Sequence, residues 1–412
     1  MTFKNCFKTA LKGLQTNKSR AALTILGIVI GITSIILIMS LGKGAQDLII
    51  NQVKGLGSNT IIIEPGREPQ GPSDFSSIFT DSLKERELKA LQEKTNVPYL
   101  AEITPVVIAS ANVSFENEVK AFNIVGCSEL MAKITDVYPQ EGEFYSKEQI
   151  QKLAAVAVIG YEVKDNLFGN SDALNQDIKI KGKVFRVVGI LPQKGTVGLF
   201  NVDKAVFVPY TTAQKYLSGI NYYNEFIARA ASEKMVPQTV QDIKNTLRDL
   251  HNITDPAKDD FHIVTQEDIV QRVSTVTSIM TVFLAAVAAI SLVVGGIGIM
   301  NIMFVSVSER THEIGLRKAI GATDGDIMLQ FLLEAIALTS VGGLVGILLG
   351  SLFSFFASLI LTKVIGSGWV FTVSLNAIFL GLSVSAFVGL LFGLLPAKQA
   401  SQKSPMEALR YE

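Results

Sequence analysis

Four long uncharged apolar runs, at 21–41, 279–305, 335–362 and 370–395, constrain this chain more than anything else in it. Each exceeds the roughly 20 residues that a helix needs to cross a ~30 Å hydrocarbon core, so each predicts a membrane-spanning helix. Hydrophobic residues are 48% of the 412, and they are gathered into these blocks instead of being spread by period. The first run follows Lys4, Lys8, Lys12, Lys18 and Arg20, as a secretory signal would. Its apolar part is too long for a signal, and no small-x-small cleavage site follows cleanly, so it reads as a retained anchor.

Lysine and arginine near the helix ends give an orientation. The first twenty residues carry those five cations and no acid, the loop at 306–331 carries Arg310, Arg317 and Lys318, and the tail at 396–412 carries Lys398, Lys403 and Arg410. The connection between the third and fourth runs offers only Lys363. Both termini are therefore expected in the cytoplasm, in a multi-pass protein of the inner or plasma membrane, with 42–278 outside. Net charge is zero, which leaves no footprint for nucleic acid. Cys6 and Cys127 can build neither a disulfide framework nor a cysteine zinc site, and they fall on opposite sides of the membrane.

The outer stretch mixes two periodicities. "NTIIIEP", "TPVVIASANVSF", "VKAFNIVG", "AVAVIG", "DIKIKGKVFRVVGIL", "AVFVP" and "EFIARA" read as strands, the fifth as a hairpin turning at "KGK". "LKERELKALQEK", with a capping box expected from Ser82 and Glu85, and "VPQTVQDIKNTLRDLHN" read as helices. The expected fold is thus four membrane helices with a large α+β extracytoplasmic domain between the first and second. A mobile loop is expected at 65–77. At 1–20, Phe3, Phe7, Leu11 and Leu14 lie opposite the lysines, as in an interfacial amphipathic helix on the inner leaflet.

The spans themselves have extensions. The first remains helix-compatible to about Lys54, and Thr265 with Asp268 caps an uninterrupted approach to the second. A helix from Asn17 to Lys54 is roughly 55 Å long at 1.5 Å per residue, enough for a stalk beyond the bilayer. A loose linker at Gly42 and Gly44 is the alternative. Small residues recur every fourth position: Gly27 and Gly31; Gly342, Gly346 and Gly350; Gly381, Ser385, Gly389 and Gly393. Such rows let membrane helices approach closely.

Catalytic chemistry is not visible. No G-x-x-x-x-G-K-[ST] appears, and "THEIGL" puts Leu316 where a zinc-protease motif needs its second histidine. His251, His262 and His312 are far apart, and no nucleophile–base arrangement can be assembled. The spans hold almost no ionisable groups, with Glu334 at one mouth, unlike an ion-coupled transporter. No enzymatic site, cofactor or metal is expected, and energy for any movement must come from another chain.

The spans are helices 21–41, 279–305, 332–362 and 370–395, and between the second and third lies "ERTHEIGLRKAIGATDGDI". Glu313 and Arg317 form an i, i+4 pair in the favourable order. Gly321 suits the residue after a helix C-cap, and Thr323 with Asp326 caps a fresh helix into the third span. The expected shape is helix, break, helix on the cytoplasmic surface, with Ile314 offered to a partner's groove and Gly315 where something approaches closely. An ordinary solvated loop would need only the positive charges.

The pattern E-R-x-x-E-I-G-x-R-x-A-x-G-A resembles the cytoplasmic loop of MacB/FtsX-type ABC transporter permeases. It comprises Glu309, Arg310, Glu313, Ile314, Gly315, Arg317, Lys318, Gly321 and Ala322. The tail is similar to theirs at Pro396, Ala397, Ala400, Pro405, Glu407, Ala408, Leu409 and Arg410, and "NKSRAALTILGIVIGI", "GCSEL", "VIGYEVKDNLFG" and "FRVVGIL" extend the likeness over the chain. The resemblance implies a permease subunit paired with a second copy, an outer domain with porter-like and sabre-like parts, and a separate cytoplasmic ATPase that grips the 306–331 loop. It also implies, in many members, a membrane-fusion adaptor outside. Export of a drug, peptide or lipoprotein-like substrate would follow. An FtsX-like regulator that activates a cell-wall hydrolase and transports nothing is the alternative, though its outer loops are smaller than 42–278. An ATPase-independent receptor or scaffold fits the loop motif poorly.

Overall fold

The computed structural model describes residues 18–54, 57–67, 81–197, 200–365, 369 and 371–410. Residues 1–17 of the expected interfacial helix and 68–77 of the expected loop lie outside the described residues. In chain order the elements are α1 (Lys18–Lys54), β1 (Thr60–Pro65), α2 (Glu85–Gln92), β2 (Leu100–Phe115), β3 (Glu118–Cys127), α3 (Leu130–Thr135), β4 (Glu141–Gly142), α4 (Lys147–Gln151), β5 (Val156–Ile159) and α5 (Tyr161–Phe168). Then come β6 (Asp177–Ile180), β7 (Lys183–Ile190), β8 (Thr196–Val197), β9 (Phe200–Asn201), β10 (Ala205–Pro209), β11 (Glu225–Ala230), α6 (Val236–His251) and β12 (Phe261–Thr265). The chain closes with α7 (Gln266–Glu309), α8 (Thr311–Ala319), α9 (Asp324–Ile365), α10 (Leu375–Ser401) and α11 (Pro405–Arg410). It divides into two compact units, one of 49–272 and one of 1–48 with 273–412.

The 49–272 unit is built on a mixed sheet in the order β12-β1-β11-β2-β3-β10-β5-β7-β4, with β6 pairing to both β2 and β7. Alternation along the strands sends Ile61, Ile63, Val107, Val113, Ile124 and Phe185 into a fully buried core. The long strand β2 serves both ends of that sheet. Its first part pairs with β11 as far as Val106↔Glu225, and its second pairs with β3 from Val107↔Gly126 onward. The hairpin expected at "KGK" joins β6 to β7, with Lys181 at φ 48° and Gly182 at φ 80° in the left-handed region that a two-residue turn requires.

Two details differ from the sequence expectation. The strand β12, with its polar His262, was not anticipated; it pairs antiparallel with β1. The capping box of α2 sits two residues later than Ser82 and Glu85: the Lys84 N–H donates to Glu87 Oε2 at 2.9 Å. Ser82 Oγ instead donates to the Asp260 carbonyl at 2.8 Å, in the turn before β12, and Leu83 is fully buried behind it.

In the other unit, α1, α7, α9 and α10 are each long and apolar enough to cross a membrane. An α-helix satisfies its own backbone groups, which lipid cannot do. Their glycine rows are the contact surfaces. A Cβ at Gly346 or Gly350 would stand 2.8 Å from the Cβ of Ile32 or Ile36 on α1, and one at Gly342 would be 3.2 Å from Ile28 Cγ2. Gly27 on α1 faces Gly295 on α7, where a Cβ would come within 2.9 Å of its Cα, and Gly31 meets Leu292. Gly389 and Gly393 on α10 lie against Ile336 and Ala335 of α9, and one turn before Gly389 the Ser385 Oγ donates to the Thr339 carbonyl at 2.5 Å. Outward, α7 exposes Val282, Phe283 and Ile290. The fourth membrane helix does not stop at 395 as expected: α10 carries Pro396 inside it and buries Ala397 and Ala400 before ending at Ser401.

Candidate coupling site

The polar link between α7 and α9 is a short capped helix held at both ends. At its start, Arg310 leaves helical geometry at φ −104°, ψ 15°, and the Thr311 hydroxyl donates back to the Val307 and Ser308 carbonyls at 3.0 and 2.9 Å. The chain thus changes direction without leaving last-turn carbonyls of α7 unsatisfied. At its end, Gly321 adopts φ +105°, its N–H donates to the Lys318 carbonyl at 3.1 Å, and the Ala322 N–H reaches the Arg317 carbonyl at 3.0 Å. This pair of bonds is a Schellman C-cap. The expected capping box follows at once: the Thr323 N–H donates to Asp326 Oδ2 at 3.0 Å and the Asp326 N–H to Thr323 Oγ1 at 3.2 Å.

One side of α8 is committed to the membrane unit. Arg310 Nη1 donates to both oxygens of Glu334 at 3.1 Å, the carboxylate being only 5% exposed. A buried charge without its partner is costly, so this pair fixes the α7–α8 corner on α9. Arg317 makes the expected ion pair with Glu313 at 2.6 Å and also donates to Gln330 Oε1 on α9 at 2.7 Å. Lys318, 9% exposed, donates to the Ser401 and Lys403 carbonyls and pairs with Asp324 at 2.6 Å.

One expectation is corrected and another is met from within the chain. Ile314, expected to enter a partner's groove, is 1% exposed and packs in the core of its own membrane unit. Gly315 does permit a close approach, but from within the chain: a Cβ there would stand 2.6 Å from the Cβ of Ala408 on α11. Ile314 is claimed by the core of the membrane helices, and Gly315 by the tail, which folds back onto α8. Pro405 and Ala408 of the tail motif thereby join the same cluster as the loop motif, whereas Pro396, Ala397 and Ala400 lie in α10. Glu407, Leu409 and Arg410 belong to α11.

What α8 leaves outward was missed in the sequence. His312, Glu313 and Ala319 are exposed, Leu316 is 52% exposed and Ile320 81%. Leu316 and Ile320 are four residues apart, the spacing that places two side chains on one helix face. Beside them an open groove is lined by Arg317, Ile320, Ala322, Asp326 and Leu329, the last 56% exposed. Among the described residues no cluster of His, Cys, Asp and Glu is arranged to hold a metal ion.

Four membrane helices, an α/β domain between the first and second in sequence, and a short braced helix between the second and third give a multi-span membrane protein with a large inserted domain. The MacB-like periplasmic core domain family matches residues 21–246, and the FtsX-like permease C-terminal family matches residues 285–405. The chain belongs to the MacB-like permease family and carries four helices long and apolar enough to cross a membrane. The macrolide export ATP-binding/permease protein MacB of Bdellovibrio bacteriovorus is 36% identical over 405 residues, which cover 97% of this chain and 61% of that protein. MacB 2 of Aeromonas hydrophila is 32% identical over 414 residues, covering 100% of this chain and 61% of its own. This chain therefore spans about three fifths of the length of these relatives. The crystal structure of the periplasmic region of MacB from Actinobacillus actinomycetemcomitans covers 54% of this chain and 95% of that one, at 20% identity and a TM-score of 0.46.

Proposed function

We propose that this chain is the permease subunit of an ABC transporter in which a separate cytoplasmic ATPase docks on the outward face of α8. Hydrolysis there moves the outer domain and drives export of a drug, peptide or lipoprotein-like substrate. The observation that carries the reading is the division of α8 into two faces. Arg310, Ile314, Gly315 and Lys318 tie one face into the membrane unit, while Leu316 and Ile320 stand bare on the other. An exposed pair of large aliphatic side chains on an amphipathic helix matches helix-in-groove recognition. The helix caps at Gly321 and Thr323 then pass a push on α8 directly to α9. The relatives named above are ATP-binding/permease proteins, which supports ATP as the energy source. The same reading has both termini cytoplasmic, two copies paired in the membrane, and an adaptor outside. No catalytic, cofactor or metal role is assigned to this chain.

Replacing Leu316 and Ile320 together by Asp tests it. Each fully buried aliphatic side chain contributes about 1.5–3 kcal/mol, so the double variant should weaken ATPase binding by roughly 100-fold or more. Membrane insertion should be normal, because Arg310, Arg317 and Lys318 remain. Co-purification of the ATPase at wild-type level would refute the docking face. Arg317→Glu is a different probe: it breaks the ties to Glu313 and Gln330 and reports on how α8 is held against α9. If ATPase docks and export is nil while a cell-wall hydrolase responds, the force-transmitting FtsX-like alternative stands.

A further inference from the structure

We infer that Lys318 is a positioning residue that ties the ATPase-facing helix α8 to the fourth membrane helix, giving a push on α8 a second route into the membrane besides its covalent continuation into α9. This deepens the docking reading above and rests on it for the source of the push. The geometry itself is independent of any partner.

The Lys318 ammonium carries three donors, and the structure provides three acceptors for them: the Ser401 carbonyl at 2.5 Å, the Lys403 carbonyl at 3.0 Å and Asp324 Oδ1 at 2.6 Å. Ser401 is the last residue of α10, so its carbonyl belongs to the turn that has no intrahelical donor, and the residue is buried. A cation at this end also meets the negative pole of the helix dipole. Asp324 is the first residue of α9. One side chain on α8 therefore joins the beginning of the third membrane helix to the end of the fourth.

The neighbouring contacts have the same geometry. Ala408 of α11 lies where Gly315 has no side chain, so the segment leaving α10 closes over α8 a helical turn from Lys318. The α8–α9 tie does not depend on Lys318, since Arg310–Glu334 and Arg317–Gln330 already bind those two helices. The α8–α10 tie has Lys318 as its charged link. Losing the ammonium should loosen α10 from α8 selectively.

Pulsed electron paramagnetic resonance distances in full-length protein reconstituted in liposomes test this, with Cys6 replaced by Ser and the buried Cys127 left in place. Spin labels at His312→Cys and Leu395→Cys report α8 against α10; labels at His312→Cys and Leu329→Cys report α8 against α9. Lys318→Met, of similar length and without charge, should abolish the narrow α8–α10 distance and leave the α8–α9 distance unchanged. Lys318→Arg, which can still donate to the carbonyls and to Asp324, should restore it. An unchanged α8–α10 distance in Lys318→Met would overturn the tie. Broadening of both pairs would also overturn it, because Lys318 would then only hold the fold together. With the ATPase present, Lys318→Met should keep ATPase binding and lose stimulated transport. Failure of the wild-type chain to bind an ATPase would sink the docking reading and leave the distance result standing.

Discussion

Glu225 is the first residue of β11 in the 49–272 unit, in an environment that disfavours its charge. It is buried, its Oε1 has no hydrogen-bond partner, and nearby Glu64 is paired at 2.6 Å with His262 across β1 and β12. Burial first, and the charge of Glu64 second, push the Glu225 carboxyl up from 4.5 to about 8. The folded chain therefore keeps a proton on Glu225 over a range where the unfolded chain has released it. Between about pH 4.5 and 8 this group should make the 49–272 unit less stable as pH rises, the opposite of an ion-paired carboxylate. Glu225→Gln, neutral throughout, should remove that slope, and amide exchange along β11 at pH 5 and pH 8 would show it. Equal pH dependence in both proteins would mean that Glu225 is ionised in the fold. Cys127 is the opposite kind of buried group: Tyr145 contacts its sulfur at 3.0 Å, and burial above all raises the thiol to about 12, leaving it inert.

At the scale of elements, two helices run without interruption past the length a bilayer needs, α1 from Lys18 to Lys54 and α7 from Gln266 to Glu309. Gly42 and Gly44 do not break α1, and the Thr265–Asp268 box starts α7 with bonds of 2.8 and 3.2 Å. Proline at Val273 would remove one backbone bond and clash with the preceding turn, costing about 3 kcal/mol of local helix. We expect normal insertion and ATPase binding with transport lost; full transport by a well-expressed variant would argue against a rigid stalk. Much of this was legible in the sequence, because caps, glycine spacing and strand alternation are local codes. Thr323, Gly321 and the row at Gly342, Gly346 and Gly350 all behave as their spacing predicts. The inward face of α8 was not legible. Nothing within nine residues says that Ile314 is buried and Leu316 bare; that is decided by distant partners, the core residues of the membrane helices around Ile314 and Ala408 of the tail against Gly315. The pairings Arg310–Glu334 and Lys318–Ser401 were hidden for the same reason: each joins residues that local periodicity cannot relate.

For the whole molecule, topology is the first property to check, and the buried Cys127 makes a poor reporter. Tyr138 is exposed in the 49–272 unit, so Tyr138→Cys supplies an accessible thiol there. A membrane-impermeant maleimide applied to intact cells, with any outer membrane permeabilised, should label Tyr138→Cys and leave Cys6 unlabelled until the inner membrane is opened. Labelling of Cys6 in sealed cells would reverse the proposed orientation. The 49–272 unit carries one more implication, in β2. That strand hydrogen-bonds to β11 up to Val106 and to β3 from Val107, so the two ends of the sheet share a single unbroken backbone. Sliding one end past the other would require breaking ladder bonds on both sides of one peptide link. Twisting requires none, because each ladder pivots about the same strand. If this unit changes shape while it works, β2 is its torsion bar, and the deformation it stores is rotation.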